Sequence, residues 1–110
     1  MPRYLIQASY TSAAVAAFVS NPQDRVAGVT SIIKKLGGKL VSFDFCLGEY
    51  DVVAVFEAPD DTAAAALSLA VNAAGHLSSY RTTRLMSPKE FVAAQEKAHG
   101  LSYKAPTKKQ

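Results

Sequence analysis

Two aspartates, Asp44 and Asp51, flank the glycine of "DFCLGEYD", and they are the residues here whose type and spacing could do chemistry. A glycine between two runs of β-forming residues marks a hairpin. A two-residue type II′ loop at Gly48-Glu49, with glycine at its first central position, sets Leu47 opposite Tyr50 and Cys46 opposite Asp51. Asp44 and Asp51 are then diagonal neighbours with Cβ atoms about 7 Å apart. Partly buried carboxylates that close raise one another's pKa, so one can act as a general acid or base, or the pair can hold a cation. The structural alternative is two separate rim carboxylates, one of them paired with Arg81 or Arg84.

Other chemistry is thinner. Removal of Met1 would leave Pro2 as an amine at the head of a strand, the kind of base that tautomerases use, but an initial Met-Pro is common. Cys46 is the single cysteine, has no nearby His or Lys to activate it, and reads as a half-buried strand residue. His76 follows a glycine at a helix end, where partial positive charge is favourable, and His99 lies near the C-terminus. No spacing of His, Cys and carboxylate resembles a zinc or iron site, and "GG" closes a helix rather than opening one, the wrong polarity for phosphate. Neither a metal nor a cofactor is expected.

The elements that must position these residues follow from periodicity. "RYLIQASY" is strand-forming over about residues 3 to 10 and ends at Thr11-Ser12, either of which can cap a helix. A short helix over "TSAAVAAFVS" breaks at Asn21-Pro22, which can restart it as N-cap and first helical residue. Val26, Val29, Ile32, Ile33 and Leu36 make one apolar stripe, closed by Lys34, Lys35 and Gly37-Gly38. Two strands, "KLVSFDFCL" and "YDVVAVFEA", lead to Asp60-Asp61 and an alanine-rich helix. "HLSSYRTTRLM" is a fourth strand, and Ser87-Pro88 opens a last helix. The order β-α-β-β-α-β-α predicts an α+β, ferredoxin-like fold: a four-stranded antiparallel sheet, helices on one face, and an additional C-terminal helix. Residues 1–98 are expected to form the domain and 99–110 a flexible basic tail.

In the two-residue register one hairpin face carries Val41, Phe43, Phe45, Leu47, Tyr50, Val52, Ala54 and Phe56 and belongs under the helices. A three-residue loop would mix polar and aromatic residues on both faces. The other face carries Ser42, Asp44, Cys46, Asp51, Val53, Val55 and Glu57, with Gln7 and Ser9 of strand one beside them. Valines ringed by polar groups are unusual on a solvent-facing sheet, so a second copy is expected to cover this face, enclosing a half-polar cavity lined by Gln7, Ser9, Asp44, Asp51 and Val53.

Composition sets bounds. The 110 residues are 49% hydrophobic and 19% charged, with net charge +3. No run approaches the roughly 20 apolar residues of a membrane span, no export signal is evident, and the cytoplasm is the expected compartment. The basic residues are scattered between a helix end and the tail. RNA-recognition modules share the element order, but here the third strand lacks their lead basic residue and turns Tyr50 and Phe56 toward the helices, which argues against nucleic acid.

The opening "MPRYLIQASYT", the "KKLGGKL" before strand two, "GEYDVVAVFEAPDD" and "RTTRLMSPKEF" together resemble the GYD domain family, whose glycine, tyrosine and aspartate are here Gly48, Tyr50 and Asp51. The resemblance covers roughly residues 2 to 95. It implies a bacterial or archaeal protein with the dimeric α/β barrel form of the ferredoxin-like fold, in a family largely without assigned activity. The expected function is a homodimer, or higher homo-oligomer, that binds a small, largely apolar molecule between its sheets. Enzymes of the same scaffold, with Asp44 and Asp51 as acid and base, are the alternative, and a purely structural assembly subunit is a third.

Overall fold

The computed structural model describes residues 1–107; the last three residues of the expected tail lie outside them. Four strands, β1 (Arg3–Tyr10), β2 (Lys39–Phe45), β3 (Val52–Glu57) and β4 (Leu77–Leu85), form one sheet in the order β2-β3-β1-β4, every pairing antiparallel. Helices α1 (Ser12–Ser20) and α2 (Val26–Lys35) connect β1 to β2, α3 (Asp61–Ala73) connects β3 to β4, and α4 (Pro88–His99) follows β4. This is the expected ferredoxin-like α+β arrangement.

The core lies between the sheet and the helices. Tyr4, Ile6 and Ala8 alternate along β1 and Val52, Ala54 and Phe56 along β3, all buried against Ile33 of α2 and Ala64 and Leu67 of α3. Strand alternation sends this set to one side only. Tyr4 stacks on Phe56 with ring centroids 5.2 Å apart, and its hydroxyl donates to Asp61 Oδ1 at 2.6 Å.

Local signals set most of the helix ends. Thr11 Oγ1 accepts from the Ala14 N–H, Asp60 Oδ1 from that of Ala63, and Ser87 forms a reciprocal capping box with Glu90. The expected restart at Asn21-Pro22 is not where α2 begins. Asp24 Oδ1 accepts from the Val26 N–H, and this local side-chain bond delays the helix to Val26. At the other end Gly37 turns with φ +81°, and the Gly38 N–H bonds to the Ile33 carbonyl. A Cβ on Gly38 would collide with the Glu57 carbonyl oxygen, so the double glycine serves backbone approach as well as helix termination.

The hairpin has the expected register: Phe45 opposes Val52, Asp44 opposes Val53, Phe43 opposes Ala54 and Ser42 opposes Val55. It departs in two respects. A bulge between Leu40 and Ser42 puts Leu40, not Val41, opposite Phe56; Leu40 packs on the core and Val41 is 43% exposed. The tip is not a type II′ turn, because the described glycines with positive φ are Gly37 and Gly75 and not Gly48. Residues 46–51 instead form a wider loop, closed by the Cys46 N–H on the Asp51 carbonyl at 2.8 Å and tied to β1 rather than wound on itself. Leu47 is accordingly in solvent, and Tyr50 is half-buried outside the core instead of anchoring it.

The helix α4 buries none of its residues, and Phe91 and Val92 are exposed upon it. The Cα radius of gyration is 18.4 Å, against about 13 Å for a compact chain of this length. The packed body therefore ends with β4, and α4 projects from it.

Two outcomes follow for thermal unfolding followed by circular dichroism. Gly38→Ala should destabilise by at least about 2 kcal/mol, since backbone and not a yielding side chain meets the new methyl group. A chain ending at Met86 should keep its unfolding midpoint within a few degrees, since α4 adds nothing to the core.

Candidate functional site

The open face of the sheet presents its residues in rows across the strands. One row reads Asp44, Val53, Gln7, Arg81 from β2 to β4, and the next reads Ser42, Val55, Leu5, Thr83. Ser9 and Asp51 adjoin the first row at the hairpin end. The expected site residues Gln7, Ser9, Asp44 and Val53 are therefore neighbours on one surface. Within a single chain they line none of the concavities found among the described residues. Asp44 and Arg81 stand on opposite edge strands, too far apart to pair, and Arg84 bonds Glu90 at 3.1 Å instead.

Asp51 has a different task. Its Oδ2 accepts the Tyr10 N–H at 2.9 Å and its own N–H donates to the Ala8 carbonyl at 2.9 Å. The pairing of β1 with β4 shifts register between Ser9 and Tyr10, and the pairing of β1 with β3 ends at Ala8. The carboxylate supplies the partner that Tyr10 would otherwise lack at the end of β1. The Asp51 side chain thus reaches toward Tyr10 rather than into a cavity of its own.

Tyr10 in turn borders a concave site on the helix side. An inner space of about 50 Å³ is walled by Ile6, Ala8, Val52, Leu67, Leu77 and Tyr80. An outer space of about 160 Å³ is walled by Arg25, Gly28, Ile32, Ala70 and Ala74. Both are bordered by Tyr10, Val29, Phe43, Val71 and His76, so the two adjoin as one cleft between α2 and α3. Gly28 of α2 and Ala70 and Ala74 at the end of α3 line its mouth beside Ile32, and a Cβ at Gly28 would meet nothing within 4 Å. Phe18 packs edge-on against Tyr10 with centroids 4.9 Å apart, His76 lies 6.1 Å from it, and the Thr11 N–H on the His76 carbonyl fixes that segment to the end of β1.

At the inner end the Tyr80 ring forms part of the wall, while its hydroxyl is buried away from the space beside the Thr82 hydroxyl. Burial pushes its pKa up, opposed by the hydrogen bond with Thr82. Burial also raises Tyr10, with the positive charge of Arg25 opposing and Asp51 reinforcing. Among the described residues no three His, Cys, Asp or Glu side chains gather as metal ligands, and no helix is long and apolar enough to cross a membrane.

Tyr10, Arg25 and Tyr80 are residues that sequence reading passed over, and Phe43 and His76 were read there only as core and as a helix-end charge. The parity of β1 puts Tyr10 on the same side as Tyr4 and Ile6, and Tyr80 is the one aromatic residue in a strand of Ser, Thr and Arg. Those were usable signals. Nothing in the sequence marks the gap they border.

The GYD domain family matches the chain over residues 4–94. Among solved structures, the crystal structure of MtbAldR is similar in fold, with a TM-score of 0.54 at 16% identity, over 78% of this chain and 52% of that one. The chain thus spans about half the length of that protein. No curated protein matches it.

Asp51→Ala should cost about 1–3 kcal/mol in chemical denaturation, the range for a buried donor that loses a charged acceptor. Asp51→Asn keeps an oxygen for the Tyr10 amide and should recover at least half of that loss.

Proposed function

The chain belongs to the GYD domain family, and on that premise we propose that it is a small-molecule-binding module that takes a compact, largely apolar molecule into the cleft between α2 and α3. The observation that carries this reading is the cleft itself, an apolar space bordered by the rings of Tyr10, Phe43 and His76 in a domain whose core is otherwise closed. Concave, mostly apolar spaces with a polar group at the rim are where small molecules bind.

The open face then serves a second copy of the chain, in a homodimer. A two-fold axis parallel to the strands reverses each row, which sets Asp44 over Arg81 of the partner subunit and Val53 over Gln7 of the partner subunit. Opposite charges meet at both edges and the valines are covered. In this reading the residues expected between the sheets bind protein, and the small molecule sits behind the sheet.

Three measurements test the proposal. Native mass spectrometry of the protein from its own cells should show a retained small mass in the wild type that is lost in Gly28→Leu, whose side chain enters open space at the mouth; a wild-type protein that carries none, and gains no stability from any compound of a small aromatic and aliphatic library, would count against the cleft. Tyr80→Phe should flatten the alkaline limb of the stability profile: with the folded pKa raised, the contribution of Tyr80 is complete below about pH 10, the unfolded value, and is lost as pH rises through the folded one. For the dimer, sedimentation velocity should give twice the chain mass, and Val53→Arg should give monomers.

A further inference from the structure

We propose that the ligand of this cleft is a small aromatic carboxylate, held by Arg25 at the mouth with its ring among Tyr10, Phe43 and His76. This rests on the cleft being the binding site, and specifies what binds there.

The two ends of the cleft differ in chemistry. Arg25 borders the outer space and not the inner, while Tyr80 borders the inner and not the outer. Between them the walls are Val29, Val71 and the rings of Tyr10, Phe43 and His76. Flat rings on several sides of a narrow gap favour a flat occupant, which can stack or meet them edge-on. An engineered cavity of about 150 Å³ is known to take one benzene ring, so the outer space fits a single ring and the inner one a substituent of an atom or two.

The mouth selects charge. The Arg25 guanidinium donates only to Gln23 Oε1, at 3.3 Å, and the one ion pair among the described residues is the Arg84–Glu90 pair. Nearby acids are engaged: the Asp24 carboxylate caps α2 through the Val26 N–H, and that of Asp51 holds the Tyr10 N–H. No Asp or Glu lines either space. An exposed Arg beside an apolar opening, with its fork of donors uncommitted, is suited to a carboxylate whose hydrocarbon part is buried. At the base the walls are apolar side chains and the Tyr80 ring, which suit the hydrocarbon part of the same molecule.

The probes are 4-hydroxyphenylacetate, its neutral amide and phenylacetate, titrated into the full chain by calorimetry and followed by amide and methyl NMR. The acid should bind at least about tenfold more tightly than the amide, and shift resonances of Gly28, Val71, Leu67 and Tyr80. Arg25→Gln should bring the acid to the affinity of the amide and leave the amide unchanged. Phenylacetate should bind within about threefold of 4-hydroxyphenylacetate, since the carboxylate and the ring carry the recognition. If acid and amide bind alike with those shifts, or Arg25→Gln leaves the acid unaffected, the carboxylate assignment fails and the cleft stands as the site. If none of the probes shifts the cleft resonances at millimolar concentration, while Arg25→Gln and wild type share one circular dichroism spectrum, the aromatic-acid assignment is overturned. Should the wild type then also carry no retained mass in native mass spectrometry, the cleft reading falls with it.

Discussion

The hydrogen bond from the Tyr10 amide to Asp51 is the constraint on which the site depends. β1 runs through the middle of the sheet, and at its C-terminal end the chain must leave for α1 without abandoning a backbone donor. No strand residue is placed to receive that N–H, because the β3 pairing ends at Ala8 and the β4 pairing shifts register after Ser9. A carboxylate from the hairpin tip supplies the acceptor. One short bond thereby joins three things: the tip of the β2–β3 hairpin, the exit of β1 and the ring of Tyr10 at the cleft. The hairpin does not need a tight turn, since it is held from the side, and this explains how Gly48 can sit in ordinary backbone geometry with nothing within 4 Å of the Cβ position it lacks.

The cleft is a consequence of side-chain size on α2 and α3. Ala64 and Leu67 bring α3 onto the sheet, and Ile33 does the same for α2. Toward the end of α3 the cleft is lined by Ala70, Val71 and the C-cap Ala74, and from α2 by Gly28, Val29 and Ile32. Two helices held on the sheet at one end by large side chains, and separated at the other by small ones, leave a wedge. Tyr10 and Phe43 rise from the sheet into that wedge, while His76 enters from the turn after α3.

Much of this was legible in the chain. Period-two alternation gave the strands, the capping residues Thr11, Asp60 and Ser87 gave three helix starts, and the pattern Phe43, Phe45, Val52, Ala54 gave the hairpin register. What escaped reading was governed by contacts between distant segments. Gly48 looked like a turn former because the local code of a hairpin is local, whereas the tip is shaped by Asp51 bonding to β1, forty-one residues away. Tyr50 looked like core because parity past the end of a strand is extrapolation; beyond Val52 no ladder enforces it. The cleft was invisible for a stronger reason. A gap between helices is set by the absence of volume at Gly28, Ala70 and Ala74, and small residues read equally well as close packing.

The thinness of the core bears on whether such a gap could be idle. Of the eleven buried apolar residues, five are alanine, so Tyr4, Ile6, Ile33, Val52, Phe56 and Leu67 provide nearly all of the large buried side chains. A domain of this kind has a total stability of about 5–15 kcal/mol, and the α4 helix adds no buried residue to it. A gap that leaves the rings of Tyr10, Phe43 and His76 without packed neighbours forgoes dispersion contacts in a domain with few large buried side chains. A larger residue at Gly28 would meet open space and supply some of them. The small residues therefore have a cost and no structural return within the chain, which is the pattern expected of a space kept open for something that enters from outside.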